Sequence, residues 1–291
     1  MTMDSRQILK RHGRSFHFAS LFLSADHRDR AADLYAFCRQ VDDIADEAMD
    51  KKKAWDELET IKTGLPKCAN GADRAAYDLV MTVQSDLRTV DLKTQDDLIQ
   101  YAYGVAGTVG LMMCDVLEVH DARAKSYAID LGIGMQLTNI ARDVQADALI
   151  GRRYLPMNWT KSVSISGLAR PRPKEQSQIA QGVKQLLALA DQYYDSAMNG
   201  LGYLPVRARF AIFVAARVYA EIGYKIRRND YCVWEGRTIV STARKLAVTL
   251  RAIFDFMTTP RLHRQGVSHD GTLHRALVSF VPSAVTGNAG L

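Results

Sequence analysis

Apolar residues recur at the three-to-four-residue spacing of an α-helix along almost the whole of this 291-residue chain. The periodic segments cover roughly residues 28–48, 51–63, 72–88, 95–119, 122–149, 175–201, 204–229 and 240–257. Alternating apolar and polar positions, which would indicate strands, are almost absent. The sequence therefore predicts an all-α protein, and the few Gly and Pro breakers between segments do not indicate a long interdomain linker.

The composition agrees with a globular protein that has an anionic partner. Apolar residues make up 47% of the chain, which is ample for a sizeable core. The net charge of +6 suits a diphosphate, a membrane surface or nucleic acid. Basic residues form only short clusters, such as residues 51–53, without the interleaved aromatic side chains of a nucleic-acid-binding stripe. We therefore expect no nucleic-acid partner.

The cysteines and the N-terminus predict a cytoplasmic protein. Cys38, Cys68, Cys114 and Cys232 lack CxxC spacing, so we interpret them as reduced thiols. The first residues lack the apolar core of a signal peptide, and no stretch of about 18 uncharged apolar residues occurs. We expect neither an export signal nor a transmembrane segment.

Residues 34–47, LYAFCRQVDDIADE, place four carboxylates directly against an apolar helical pattern. DxxxD pairs occur at 29/33, 42/46, 46/50, 143/147 and 191/195, so this spacing alone does not identify a site. The context of the 42/46 pair is distinctive, because two stripes run side by side on one helix. The apolar stripe consists of Leu34, Phe37, Cys38 and Val41. The polar stripe, here called the first ladder, consists of Tyr35, Arg39, Asp42 and Asp46.

The stretch IGMQLTNIARDVQAD, residues 133–147, repeats this arrangement about a hundred residues later. Its apolar stripe is Ile133, Leu137, Ile140 and Val144. Its polar stripe, the second ladder, is Gln136, Asn139, Asp143 and Asp147. Carboxylates one helical turn apart repel each other unless a cation lies between them. Mg²⁺ prefers oxygen ligands and is commonly held by carboxylates together with substrate phosphates, so the two ladders predict a magnesium diphosphate site.

Two arginines and a glycine series complete the pattern. Arg39 and Arg142 stand next to the ladder aspartates, where each would bind phosphate oxygens or balance the acids. Gly104, Gly107 and Gly110 recur every third residue in YAYGVAGTVGLMM, within a helical pattern. Each glycine costs a helix roughly 1 kcal/mol relative to alanine, so a neighbouring helix or a long apolar ligand is expected to approach this backbone closely.

These motifs together resemble the squalene and phytoene synthase family, which has the type I isoprenoid synthase fold. YAFCRQVDDIAD is similar to the first aspartate-rich motif of the family and NIARDVQADALIGRRYLP to the second. The likeness runs from about His12 to Lys245 and includes RHGRSFHFAS near the start and EGRTIVSTARKL near the end. The resemblance implies a single-domain helical fold with a central cavity, a catalytic domain over 1–258, and a tail over 259–291 of unknown role.

The resemblance also implies roles for individual residues. The metal ligands would be Asp42, Asp46, Asn139, Asp143 and Asp147. The implied catalytic residues are Asp42, Asp46, Asp143, Asp147, Arg39 and Tyr101. The residues expected to bind the prenyl diphosphates are His12, Arg14, Ser15, Phe16, Tyr35, Arg39, Gln136, Asn139, Arg142, Tyr219 and Arg237. Mg²⁺ is the expected metal, with Mn²⁺ as an alternative.

Within the family, GVAGTVGLMMC and LGIGMQLTNIARDV most resemble bacterial phytoene synthases, which condense two geranylgeranyl diphosphates head to head. Ser20 leaves room for a long chain, and the chain lacks a dinucleotide fingerprint, so no NADPH is expected. The alternatives are a presqualene diphosphate, squalene or dehydrosqualene synthase that uses farnesyl diphosphate, and a catalytically inactive assembly factor of the same fold.

The expected surroundings of the enzyme follow from the same resemblance. We expect a monomer or homodimer, with peripheral contact at the inner face of the membrane for product release. The tail over 259–291 is predicted to be a solvated or membrane-surface segment, and its histidines are not expected to form a metal site.

Overall fold

The computed structural model describes residues 4–66, 72–161 and 163–278. The α-helices are α1 Ser5–His12, α2 Arg14–Ser20, α3 Ala25–Asp46, α4 Lys51–Gly64, α5 Ala72–Ser85, α6 Gln95–Ala102, α7 Thr108–Val116, α8 Arg123–Leu149, α9 Ile165–Ala169, α10 Pro173–Gly200, α11 Val206–Arg228 and α12 Thr242–Thr258. Apart from an isolated bridge between Asp91 and Arg153, this part of the chain has no β-structure. The all-α prediction is confirmed.

Helix α8 lies at the centre, packed against α7, α10 and α11. The apolar stripe predicted beside the second ladder is buried in full, from Ile133 to Val144. On α3, Val41 is completely buried, and the remaining members of the predicted stripe pack against the same cluster. Burial of each stripe fixes the rotation of its helix, and the neighbouring polar ladder is thereby held at the edge of the core.

The segment predicted as one helix over 95–119 is interrupted. Between α6 and α7, residues Tyr103–Gly107 form a turn of π-helix. The glycines nearby permit close backbone contact: a Cβ at Gly110 would lie 2.1 Å from the Ala128 carbonyl oxygen, and one at Gly132 would lie 2.1 Å from that of Ala106. Helices α7 and α8 therefore touch through their backbones, as the glycine series predicts.

The tail is predicted to be a solvated or membrane-surface segment. Most side chains in residues 259–278 are exposed, but part of this segment packs onto the helices. Short 3-10 turns at Pro260–His263 and Gly271–Leu277 bury Leu262, His274 and Leu277. His269 and His274 direct their Nε2 atoms to the two carboxylate oxygens of Asp130 on α8, at 2.8 and 2.7 Å. Their hydrogen bonds outweigh the effect of burial and lower the pKa of Asp130.

Two further expectations concern membranes and thiols. None of the helices in the described ranges combines the length and apolar character that a membrane span requires. Cys38, Cys114 and Cys232 carry free thiols, as predicted, whereas Cys68 lies outside the described residues.

Candidate active site

The two ladders meet where α3 and α8 end. Arg152, just beyond α8, donates a 2.6 Å hydrogen bond from its guanidinium to Asp46, the last residue of α3. The charge of Asp46 also raises the pKa of both Asp42 and Asp147. The acidic ends of the two helices therefore share one electrostatic environment, although 106 residues separate Arg152 from Asp46.

Asp42 and Asp147 are the carboxylates with the least compensation. Burial, followed by the charge of Asp46, raises the pKa of Asp42 to about 7. Burial, followed by the charge of Asp143, raises the pKa of Asp147 to about 7. Among the hydrogen bonds and ion pairs of the described residues, none involves either carboxylate. A nearby cation would stabilise the ionised form of both carboxylates.

Asp143 is paired with two arginines. Arg142 donates to both of its oxygens, at 3.0 and 2.6 Å, and Arg237 reaches it from the segment before α12, at 2.8 and 3.1 Å. Arg39 pairs with Asp43, one turn along α3, and Asp43 is thus a partner of the first ladder. Three of the predicted phosphate-binding arginines are therefore held beside carboxylates at this end of the bundle.

A polar and aromatic group lies next to the ladders. Tyr219 on α11 donates a 2.6 Å hydrogen bond to the Asn139 side-chain oxygen, and Asn139 in turn donates to Gln136 at 3.3 Å. The ring of Phe16 stacks on Tyr219 with centroids 5.2 Å apart and lies 6.3 Å from Tyr35. Four helices thus bring together residues that the sequence assigns to substrate binding.

A long apolar cavity opens beside this group. Its volume is about 330 Å³, within the range typical of ligand sites. Asp42, Tyr35, Gln136, Asn139 and Phe16 line it together with small and aliphatic residues. Those further residues include Ser20, Val105, Ala106, Val109, Gly110, Met113, Leu131, Gly132, Leu204 and Ile212. The cavity therefore combines an apolar lining, which suits a hydrocarbon, with ladder residues from both helices, among them the carboxylate of Asp42.

Asp86 is a site residue that the sequence interpretation missed. It follows α5, is 9% exposed, and accepts hydrogen bonds from Tyr101 at 2.9 Å and Tyr154 at 3.2 Å. Burial raises the pKa of Asp86 to about 6 despite these hydrogen bonds. The charges of Arg152 and Asp46 act on the same carboxyl, which connects it to the ladders. A single acid after a helix carries no periodic signal that would identify it.

The segment that precedes Phe16 is less closely tied to the cavity. His12 and Arg14 are exposed, Ser15 is partly buried, and none of the three lines the cavity. Gly13 between them lies against Tyr35, where a Cβ would be 2.8 Å from the ring. The segment thus adjoins the first ladder, and a role of these three side chains in binding stays a prediction.

The donor set fits a magnesium ion. The ladders supply carboxylate and amide oxygens, which Mg²⁺ prefers, and burial followed by the charge of a neighbouring aspartate raises the pKa values of Asp42 and Asp147. Among the described residues, two groups of His, Asp or Glu have three ligand atoms within 4.8 Å of one another: Asp130 with His269 and His274, and Asp26 with His27 and Glu118. No three of the ladder carboxylates lie that close together in this part of the chain. In the first group the Nε2 atom of each histidine is at hydrogen-bond distance from the Asp130 carboxylate, whereas both Nδ1 atoms are buried without a hydrogen-bond partner.

The sequence was compared with those of known proteins. Residues 9–245 match the profile of the family described as squalene/phytoene synthase. The chain is 33% identical to the 15-cis-phytoene synthase of Enterobacter agglomerans, over 82% of this chain and 90% of that protein. It is 34% identical to the phytoene synthase of Rhodobacter capsulatus, over 94% of this chain and 90% of that protein.

Solved structures support the same fold. A dehydrosqualene synthase in complex with ligand superposes with a TM-score of 0.76 at 26% identity, covering 87% of this chain and 95% of that one. Squalene synthase HpnC from Alicyclobacillus acidocaldarius superposes with a TM-score of 0.67 at 22% identity, covering 78% and 93%. The second likeness is one of fold alone.

Proposed function

Since the chain belongs to the squalene/phytoene synthase family, we propose that it condenses two geranylgeranyl diphosphates head to head, through prephytoene diphosphate, to phytoene in carotenoid biosynthesis. It is an enzyme of the prenyltransferase type. The observation that carries the proposal is the pair of electrostatically coupled carboxylate ladders, whose members Asp42, Gln136 and Asn139 line an apolar cavity. This combination suits a substrate with a charged diphosphate and a hydrocarbon chain.

The basic residues bind and orient the diphosphates in this proposal. Arg39, Arg142 and Arg237 are held near the ladders by their carboxylate partners, and guanidinium groups match phosphate oxygens in geometry. Arg237 is 59% exposed, so it can turn from Asp143 to an arriving anion. The positive charges would stabilise the departing diphosphate.

The cavity walls protect the carbocation. The lining is dominated by aliphatic side chains, which exclude the water that would trap an allylic cation. The rings of Phe16 and Tyr35 line the same space, and aromatic faces attract cations. Ser20 is 6% exposed and lines the cavity with a small side chain, which favours the twenty-carbon substrate.

Asp42, Asp46, Asn139, Asp143 and Asp147 would hold Mg²⁺, with Mn²⁺ as an alternative. When bound, the metal supplies Lewis-acid stabilisation of the diphosphate leaving group. We propose no NADPH requirement, because the phytoene reaction ends in loss of a proton.

A second candidate uses farnesyl diphosphate. It is favoured by the likeness to a dehydrosqualene synthase structure at 26% identity. An inactive assembly factor is disfavoured, because all four ladder aspartates are present.

The test is incubation of the purified protein with Mg²⁺ and either geranylgeranyl or farnesyl diphosphate, with and without NADPH, followed by product identification. We expect phytoene from the twenty-carbon substrate without NADPH. Presqualene diphosphate, squalene or dehydrosqualene from the fifteen-carbon substrate would favour the second candidate instead.

A matched pair of variants links the activity to the ladders. Asp143→Ala is expected to abolish turnover with the helical content unchanged. Asp195→Ala removes an aspartate of another DxxxD pair, on α10, where its side chain is 70% exposed and pairs with Arg261. Full activity of Asp143→Ala, or equal loss in Asp195→Ala, would contradict the proposed site.

A further inference from the structure

The face of α8 that lines the cavity runs along most of the helix. Its lining positions follow helical spacing from Asn139 and Gln136, in the second ladder, through Gly132 and Ala128 to Tyr127. At 1.5 Å per residue, the stretch of α8 between Asn139 and Tyr127 is about 18 Å long. Tyr127 therefore lies at the end of the cavity remote from the ladders, here called the far end.

Tyr127 lies between the far end and a segment of the tail. Residues 264–274, here called the strap, pass behind its side chain. The Tyr127 hydroxyl donates a 2.5 Å hydrogen bond to the main-chain oxygen of Val267. The ring of His269 meets the Tyr127 ring edge-on, with centroids 5.3 Å apart. Tyr127 is 3% exposed, so its side chain fills the space between the cavity and the strap.

The end of α10 leaves Tyr127 no room to turn aside. Gly200 also lines the cavity, and a Cβ at this glycine would lie only 2.2 Å from the Cβ of Tyr127. Tyr203 stacks on Tyr127 with ring centroids 6.2 Å apart, and its hydroxyl accepts a 3.1 Å hydrogen bond from the strap, at the Gly266 amide. The Tyr127 ring is therefore enclosed by α10, by the turn that follows it and by the strap.

Asp130 fastens the strap to α8 close to this ring. It follows Tyr127 by three residues, which places both side chains on the same side of the helix. The Nε2 atoms of His269 and His274 lie 2.8 and 2.7 Å from its two carboxylate oxygens, and Ser196 donates a third hydrogen bond at 2.6 Å. Because Asp130 is completely buried, loss of the strap would leave this carboxylate without two of its partners. His269 joins the two contacts, since it touches both Asp130 and the Tyr127 ring.

We propose that Tyr127 limits the length of the hydrocarbon chain that the cavity accepts, and that His269 is the positioning residue that keeps its ring in place. An aliphatic lining offers no hydrogen bonds that report chain length, so such a pocket selects by the volume that it leaves free. The bulky ring at the far end then rejects a chain that is one isoprene unit too long. The class of ligand, a prenyl diphosphate, rests on the proposed function.

The test compares chain-length preference in the original protein and in Tyr127→Ala. With Mg²⁺ present, kcat/KM is measured for the fifteen-, twenty- and twenty-five-carbon all-trans prenyl diphosphates. Affinity is measured for their unreactive analogues, in which sulfur replaces the oxygen between chain and diphosphate. Loss of the ring opens the far end toward the strap, so we expect both preferences to shift toward the longer chain about tenfold or more. Tyr127→Phe keeps the ring and should leave both preferences unchanged.

The two histidines provide a matched pair of variants. His269→Ala and His274→Ala each remove one contact with Asp130, but in the described part of the chain only His269 has a ring contact with Tyr127. We expect His269→Ala to shift the preference in the same direction as Tyr127→Ala, by a smaller factor. His274→Ala should lower the urea midpoint without a shift in preference.

The results separate this inference from the proposed function. The substrate that the original chain prefers tests the proposed function, whereas the change caused by Tyr127→Ala tests the inference, and the analogues report it without turnover. An unchanged preference in Tyr127→Ala with native circular dichroism would overturn the inference; Tyr127→Leu, a milder truncation, takes its place if the alanine variant does not fold. Equal shifts in both histidine variants would overturn the role of His269, because docking of the strap alone would then set the preference.

Discussion

Replacement of Asp42 by asparagine should stabilise the metal-free protein while abolishing turnover. Asp42 is partly buried beside Asp46, and its pKa is raised from 3.8 to about 7. At about 1.4 kcal/mol per pKa unit, the difference of about 3 units corresponds to about 4 kcal/mol. This value is the upper limit of the folding free energy that is lost when Asp42 ionises. Asparagine fills the same space without a charge, so this cost disappears.

The sign of the pH dependence follows from proton binding. Between pH 3.8 and about 7 the unfolded chain has lost the Asp42 proton and the folded chain has kept it. The folded state then binds more protons, so the free energy of unfolding falls as the pH rises. The stability advantage of Asp42→Asn should therefore grow across this window and reach its maximum above about pH 7. We expect a gain of about 1–3 kcal/mol at pH 8, below the upper limit because Asp42 is only partly buried and solvent screens its charge.

The assay is urea unfolding in EDTA at pH 5 and pH 8, with midpoints compared at equal m-values. Asp56→Asn on α4 is the control, because Asp56 is an exposed helical aspartate away from the ladders. Identical unfolding of Asp42→Asn and the original chain at pH 8, or a gain that does not change with pH, would refute the reasoning. Turnover by Asp42→Asn would refute the role of this carboxylate in the proposed reaction.

Three further predictions test other parts of the site. Asp86→Asn should lower kcat about tenfold or more, because it removes the carboxylate that accepts hydrogen bonds from the Tyr101 and Tyr154 hydroxyls. The same variant should flatten the dependence of kcat on pH near pH 6. Ser20→Phe should shift the ratio of kcat/KM from geranylgeranyl toward farnesyl diphosphate about tenfold or more, because it fills the cavity, whereas Ser20→Ala should not. Gly132→Ala should lower the free energy of unfolding by about 1–3 kcal/mol in urea titrations, because the added Cβ would meet a backbone carbonyl. Gly64→Ala is the control and should not lower it, because a Cβ at Gly64 would have no atom within 4 Å.

The fold and both ladders could be predicted because their signals are local. The stripes of α3 and α8 repeat every three or four residues, so the identity of each face is encoded within a single helix. The glycines at which α7 contacts α8 likewise indicate a close helix contact, although the sequence does not identify the helix that makes it. What packs against a given face depends on the tertiary arrangement.

The parts that sequence reasoning missed depend on contacts between distant residues. Asp86 joins the site through Tyr101 and Tyr154, which lie 15 and 68 residues away. The tail is predicted to be a solvated or membrane-surface segment. His274 is nevertheless 1% exposed, since it meets Asp130, a buried acid 144 residues earlier. A charged residue on a buried helix face is recognised as a partner only when the two segments are brought together.

The positive charges are distributed unevenly over the four ladder aspartates. Asp46 and Asp143 are matched by arginines, whereas Asp42 and Asp147 lack such a hydrogen bond and have raised pKa values. A diphosphate that draws an arginine away from Asp143 adds to the uncompensated negative charge, and the case for a divalent cation becomes stronger. Binding of the anion and binding of the cation therefore favour each other, and by linkage the effect is reciprocal.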